Sequence, residues 1–160
     1  MFSAAAITSC GVTPEQAAEY NDKIIHEQKA VDEKEIALKD AIYDWTNVDG
    51  MKKAYAAYMA QVITSIDVVK KLEKFDGSTF FADAAAKLFD SYKSYGDKEY
   101  KDWIDLYSLP EGSFTATEED KVKELKETVN SGLDLEFEKF KLAQDAFAAK
   151  YKLELTQKDI

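Results

Sequence analysis

Arginine is absent from this chain, and all 21 of its basic residues are lysines. The planar guanidinium group is the side chain best suited to bidentate binding of phosphate, so its absence argues against phosphate recognition. The 31 acidic residues give a net charge of −10, which opposes binding to nucleic acid or to an anionic membrane surface. We therefore expect no nucleic-acid partner.

Histidine and cysteine are scarce, with one residue of each. A di-iron bundle needs two Glu-x-x-His motifs and covalent haem attachment needs Cys-x-x-Cys-His, so the sequence excludes both. His26 follows the helical pattern at a position that is expected to face solvent. No Gly-x-Ser-x-Gly motif is present, and the acidic residues are interleaved with lysines, as on solvated helix faces. The sequence thus predicts no enzymatic activity, no metal and no cofactor.

Only two prolines and six glycines interrupt the 160 residues, so the regular elements are expected to be long. Apolar residues recur at helical spacing in four stretches, each preceded by a capping or turn signal. The first begins at Thr13-Pro14-Glu15-Gln16, and its apolar stripe comprises Ala17, Tyr20, Ile24, Val31, Leu38, Ile42 and Trp45. The second runs from about Met51 to Phe75, and it is predicted to bury Ile66 while Lys71 points away.

The third stretch follows the turn at Asp76-Gly77-Ser78, with Ser78 or Thr79 as its cap, and it is kinked or split near Gly96. The fourth opens at Thr117-Glu118-Glu119-Asp120 and runs to about Tyr151. Short connections make neighbouring helices antiparallel. The predicted fold class is therefore all-α, an antiparallel up-down-up-down four-helix bundle.

Cys10 ends the stretch Ile7-Thr8-Ser9-Cys10, which resembles the lipobox of bacterial lipoproteins. The segment before it has no lysine and is too short for a complete signal peptide, so residues 1–9 are interpreted as a truncated one. Residues 10–12 then form a lipid-anchored tether, residues 13–155 the bundle domain, and residues 156–160 a frayed tail. The alternative is a free buried cysteine behind an irregular N-terminus.

Several segments carry a resemblance to a known family. They are Tyr20-Asn21-Asp22-Lys23-Ile24 with Glu27-Gln28, Glu136-Phe137-Glu138-Lys139-Phe140, and Ala143-Gln144-Asp145-Ala146-Phe147-Ala148-Ala149-Lys150-Tyr151. From about Val12 to Leu155 the chain resembles small helical bacterial surface lipoproteins named from a leptospiral member. The resemblance implies a lipid-anchored envelope protein, in the outer membrane, with no established activity. Gly11-Val12-Thr13-Pro14 lacks the acidic cluster that often marks surface export, so periplasm-facing and surface-exposed positions both stay open.

Aromatic residues crowd the segment around Gly96. They are Tyr92, Tyr95, Tyr100, Trp103 and Tyr107. Aromatic residues at helical spacing are usually part of the core, whereas the functional interpretation is a patch that binds a glycan, lipid or peptide at the kink.

The sequence therefore leaves two alternative functions. The first is a non-enzymatic, lipid-anchored envelope protein that binds or scaffolds an unknown protein or glycan partner. The alternative is a periplasmic small-ligand carrier or enzyme accessory with an aromatic pocket near Trp103.

Overall fold

The computed structural model describes residues 11–155. Cys10, the lipobox, the start of the tether and the tail at residues 156–160 lie outside this range. The described residues form α1 (Pro14–Tyr43), α2 (Val48–Lys70), α3 (Phe80–Tyr95), a π-helical segment (Gly96–Tyr100), α4 (Lys101–Tyr107) and α5 (Ala116–Tyr151). They contain no β-strand, and Phe75 and Ser78 make a single isolated β-bridge.

Four helical rods build an antiparallel bundle, because α3, the π-helical segment and α4 form one continuous rod that changes its winding at Gly96. The predicted fold class is confirmed. Each rod packs most extensively on its neighbour along the chain, while α1 and α5 approach each other less closely. The N-terminus of α1 and the C-terminus of α5 consequently lie at one end of the bundle, and the α1–α2 and α4–α5 connections lie at the other.

Local chemistry explains most helix boundaries. Thr13 and Gln16 form the predicted capping box at the start of α1. The start of α5 was predicted two residues too late, since Thr115 is the cap and forms a capping box with Glu118. Ser78 Oγ accepts a hydrogen bond from the Phe80 amide at 3.2 Å, at the start of α3.

The predicted bounds of α2 were wrong at both ends. The helix begins at Val48, because the Asn47 side chain accepts a hydrogen bond from the Gly50 amide at 2.9 Å. It ends at Lys70, five residues before Phe75, which folds back with its ring 4.8 Å from that of Tyr20. The Asp76–Gly77 turn that permits this has φ angles of 51° and 74°.

The buried face of α2 agrees with the predicted stripe. Ile66 is 7 % exposed and Lys71 lies on the surface just beyond the helix end. Trp45 departs from the predicted stripe of α1, because the helix has already ended at Tyr43 and the indole is 56 % exposed. Trp45, one of the chain's two tryptophans, therefore lies on the surface and not in the core, where its place in the stripe had predicted it.

Candidate functional site

The five aromatic residues predicted as a possible ligand patch do not share one surface. Tyr92, Tyr100 and Trp103 are buried, whereas Tyr95 and Tyr107 are partly exposed. The rings of Tyr100 and Trp103 stack with centroids 6.2 Å apart. The burial of these three rings agrees with the packing interpretation, and the indole of Trp103 lies within 6.5 Å of the rings of Tyr43, Tyr100 and Tyr107.

The change of helical winding at Gly96 depends on a close approach between rods. A Cβ atom at Gly96 would overlap the sulfur atom of Met59 on α2, so glycine lets α2 reach the backbone here. Tyr55 Oη donates to the Gly96 carbonyl at 3.1 Å, and Tyr58 Oη donates to the Tyr92 carbonyl at 3.0 Å. Two α2 tyrosines thus bind the backbone at the start of the π-helical segment and one turn before it.

Two acidic residues of α1 accept hydrogen bonds from tyrosine hydroxyl groups of the rod that α3, the π-helical segment and α4 form. Tyr92 Oη donates to Asp32 Oδ1 at 2.7 Å, and Tyr100 Oη donates to Glu35 Oε1 at 2.6 Å. Gln28 also donates to Asp32, and Lys39 Nζ lies 3.0 Å from Glu35. This tyrosine–carboxylate cluster borders a groove of about 220 Å³ between α1 and α5.

Burial raises the pKa of Asp32 and of the tyrosines packed beside it. Desolvation raises the pKa of Asp32, and this effect exceeds the opposing one of the hydrogen bond from Tyr92. Burial, reinforced by the nearby carboxylates, also raises the pKa of Tyr58, Tyr92 and Tyr100 well above the usual range of tyrosine. The phenols therefore stay protonated at neutral pH and act as hydrogen-bond donors, which suits a structural role better than proton transfer.

The raised pKa of Asp32 predicts how Asp32→Asn changes the free energy of unfolding with pH. A group whose pKa is higher in the folded state stabilises the protein below its unfolded pKa and loses that contribution as pH rises through the folded value. The ionised carboxylate is therefore a cost at neutral pH that asparagine avoids, while its amide oxygen still accepts from Tyr92. We expect Asp32→Asn to be more stable than the wild type near pH 7.

Urea melts from neutral pH down to about pH 4 test this expectation, because they span the range above the ordinary carboxyl pKa. The advantage of Asp32→Asn over the wild type should shrink as pH falls. Asp32→Ala is the matched control and should be destabilised throughout, because it leaves the Tyr92 hydroxyl without its acceptor. An Asp32→Asn advantage that stays constant with pH would contradict this account.

A second aromatic group covers the end of the bundle farthest from the N-terminus. We call it the aromatic end, and it comprises Tyr43, Trp45, Tyr107 and Phe114. The ring centroids of Trp45 and Phe114 lie 6.1 Å and 5.5 Å from that of Tyr107. Trp103 lies beneath the group, 6.2 Å from Tyr43 and 6.5 Å from Tyr107. Exposure is 54 % for Tyr43, 56 % for Trp45 and 36 % for Phe114, so the rings form a surface.

Charged groups surround this surface. Lys126 Nζ lies 5.1 Å from the ring centroid of Tyr43, a distance at which a cation is attracted to an aromatic face. No cation occupies the ring of Trp45 in residues 11–155. Asp44, Asp49 and Glu111 are exposed in the segments that flank the aromatic end.

Neither His26 nor a cluster of metal-binding side chains adds to the site in the part of the chain that the structure describes. His26 is exposed on α1, as its position in the helical pattern predicted. Residues 11–155 contain no group of three histidine, cysteine, aspartate or glutamate side chains that could hold a metal ion. None of the helices in this range is long and apolar enough to cross a membrane.

Comparison with known proteins finds no family model, no curated protein and no solved structure that matches this chain. The resemblance to helical surface lipoproteins therefore stays a prediction.

Sequence reasoning missed two parts of the site. The predicted stripe of α1 passes from Ile24 to Val31 and Leu38 in steps of seven. It omits Gln28 and Glu35, which lie between these residues and are buried. Their spacing of three or four from the apolar residues was the available signal. The aromatic end had no such signal, because Tyr43, Trp45 and Phe114 come together only through the antiparallel packing of distant segments.

Proposed function

We propose that the protein is a non-enzymatic, lipid-anchored binding module of the bacterial cell envelope. In this proposal Cys10 carries the lipid and the aromatic end binds a partner protein. The observation that carries the proposal is the exposed cluster of Tyr43, Trp45, Tyr107 and Phe114.

The position of the aromatic end supports this role. The 30 residues of α1 span about 45 Å at 1.5 Å per residue, and Thr13 caps the end from which the tether leaves. A lipid on Cys10 would hold that end at the membrane, so the aromatic end would project away from it.

The composition of the aromatic end favours a protein partner with a basic surface. Tryptophan and tyrosine are the side chains most enriched among residues that dominate binding energy at protein interfaces. The net charge of −10 attracts a basic partner over long range. The uncovered ring of Trp45 offers a face for a lysine or arginine side chain, next to the carboxylate of Asp44.

Site-specific crosslinking in native membranes tests the proposal. A photo-crosslinking phenylalanine analogue replaces Trp45 in the full-length gene product, and a matched variant carries it at Ile63, which is exposed in the middle of α2. We expect a discrete crosslinked protein from position 45 and none from position 63. Cys10→Ala should abolish incorporation of a lipid precursor and release the protein from the membrane.

The captured partner is then purified and titrated with the full chain. Trp45→Ala should weaken binding by about tenfold or more, and Ile63→Ala should leave it unchanged. Binding should also weaken between about 0.05 M and 0.3 M salt, because charge attraction is screened. Equal crosslinking at both positions, a glycan as the captured species, or affinity insensitive to salt would each overturn the proposed partner.

A further inference from the structure

A cleft of about 530 Å³ lies between α4 and α5. Asp102, Leu106 and Leu109 follow one another along one wall in steps of four and three, and Glu124 and Leu125 lie on the other wall. This spacing is that of one helix face, which Leu109 continues just beyond the end of α4. At 1.5 Å per residue the wall is about 10 Å long. The cleft is therefore a groove between two helical faces, and we call it the α4–α5 groove.

Leucine side chains give the α4–α5 groove an apolar lining. Leu106 and Leu125 are partly buried and pack against the core, and Leu109 is 39 % exposed. A partner that covered these side chains would remove apolar surface from water, which is the main favourable contribution to protein association.

Exposed carboxylates flank these leucines. Asp102, Asp105 and Glu124 line the groove and make no ion pair with another residue of the range 11–155. Asp105 directly precedes Leu106, and Glu124 directly precedes Leu125, so each wall carries a negative charge beside an apolar side chain. Because the three carboxylates are exposed, a ligand can reach them without any rearrangement of the bundle.

The two lysines of the lining do not neutralise these charges. Lys98 Nζ lies 2.6 Å from the Glu99 carboxylate, and Lys121 Nζ lies 3.3 Å from that of Glu118. The lining contains four acidic residues against these two lysines, so its net charge is negative. An anionic partner would be repelled, and a neutral apolar one would cover the carboxylates without pairing them, which costs desolvation energy. The complementary partner is therefore apolar on one face and positively charged on the flanks of that face.

We infer that the α4–α5 groove binds a short amphipathic helix of the partner protein, with apolar residues on one face and lysine or arginine beside them. Binding of such a helix in an apolar groove is a recurring form of peptide recognition, and a wall of about 10 Å matches two helical turns. The inference rests on the proposed function, because it assigns this helix to the basic partner of the aromatic end. Tyr107 of the aromatic end directly follows Leu106 of the groove, so one partner can contact both.

Titration of the full chain with a synthetic peptide tests the inference. The probe is a fluorescently labelled peptide of leucine and lysine at amphipathic spacing, about four helical turns long, and its counterpart carries glutamate in place of lysine. Binding is followed by fluorescence anisotropy. We expect the lysine peptide to bind and the glutamate peptide not to bind, because only the first complements the three unpaired carboxylates.

A matched pair of charge reversals separates the groove from the charge of the whole chain. Glu124→Lys should weaken binding of the lysine peptide by about tenfold or more, because it sets a like charge against the peptide. Glu138→Lys changes the net charge equally at an exposed position of α5, about 21 Å farther along the helix, and should weaken binding by less than about twofold. Equal weakening by both variants would overturn the inference.

A matched pair of leucine truncations tests the apolar lining. Leu109→Ala should weaken binding of the lysine peptide by about fivefold, whereas Leu135→Ala, which is 57 % exposed on α5 outside the groove, should leave it unchanged. All four variants alter exposed positions, so circular dichroism should show the wild-type helix content. Equal effects of the two truncations, or no binding of the lysine peptide to the wild type, would overturn the inference.

The captured partner distinguishes failure of this inference from failure of the proposed function. Glu124→Lys should weaken binding of the purified partner, as Trp45→Ala should. Partner binding that depends on Trp45 but not on Glu124 would overturn the groove inference and leave the proposed function intact. A failure to capture any partner from position 45 would overturn the proposed function, while the peptide titration still decides whether the groove binds a basic amphipathic helix.

Discussion

Trp103→Ala is expected to lower the free energy of unfolding by about 3–5 kcal/mol, the largest effect of any substitution considered for this chain. The indole is 1 % exposed and lies between Tyr100 and the aromatic end, so truncation would leave a cavity among rings that cannot easily close it. A domain of this size has a total stability of about 5–15 kcal/mol. The variant should therefore unfold at much lower urea concentrations than the wild type.

Trp45→Ala is the matched control, because it removes the chain's other tryptophan from a position that is 56 % exposed. Exposed substitutions usually change stability by no more than about 0.5 kcal/mol. Circular dichroism at 222 nm follows both urea melts without depending on tryptophan fluorescence. Similar midpoints for the two variants would contradict the assignment of Trp103 to the core.

Ile66→Ala is expected to lower the free energy of unfolding by about 2–5 kcal/mol, because it deletes a buried side chain in the interior of α2. Its control is Lys71→Ala, at an exposed position just beyond the end of the same helix, which should leave stability nearly unchanged. Urea melts of the two purified variants measure the difference. Equal shifts of the midpoint would mean that α2 presents a different face to the bundle.

Buried polar residues fix the register in which the rods pack. Gln144 of α5 donates to Asn21 Oδ1 of α1 at 3.0 Å, and Ser65 of α2 donates to Glu27 Oε2 of α1 at 2.7 Å. Tyr100 Oη, in the rod formed by α3, the π-helical segment and α4, likewise donates a hydrogen bond to Glu35 Oε1 of α1. An apolar seam tolerates sliding by a turn, but sliding would leave these groups buried without partners at about 1–3 kcal/mol each. The polar pairs therefore favour one alignment of four long helices over the others.

The four helical stretches could be predicted from the sequence because each depends on signals that lie within a few residues of each other. The capping box at Thr13 and the apolar spacing around Ile66 are local, and both agree with the structure. Gly96 was also a local signal, since glycine lowers helix propensity. Its π-helical form, however, depends on Met59 and the tyrosines of α2, which lie more than thirty-five residues away along the chain.

The aromatic residues show what only tertiary structure decided. Tyr92, Tyr100, Trp103 and Tyr107 follow the same helical spacing, yet the first three are buried and the fourth borders the aromatic end. Periodicity identifies a face of a helix, but it does not say how far the neighbouring rods extend to cover it. Tyr107 stays partly exposed because α1 ends at Tyr43, whereas Tyr20 is enclosed because Phe75 folds back over it. Contacts between residues distant in sequence therefore determined both the aromatic end and the burial of Tyr20.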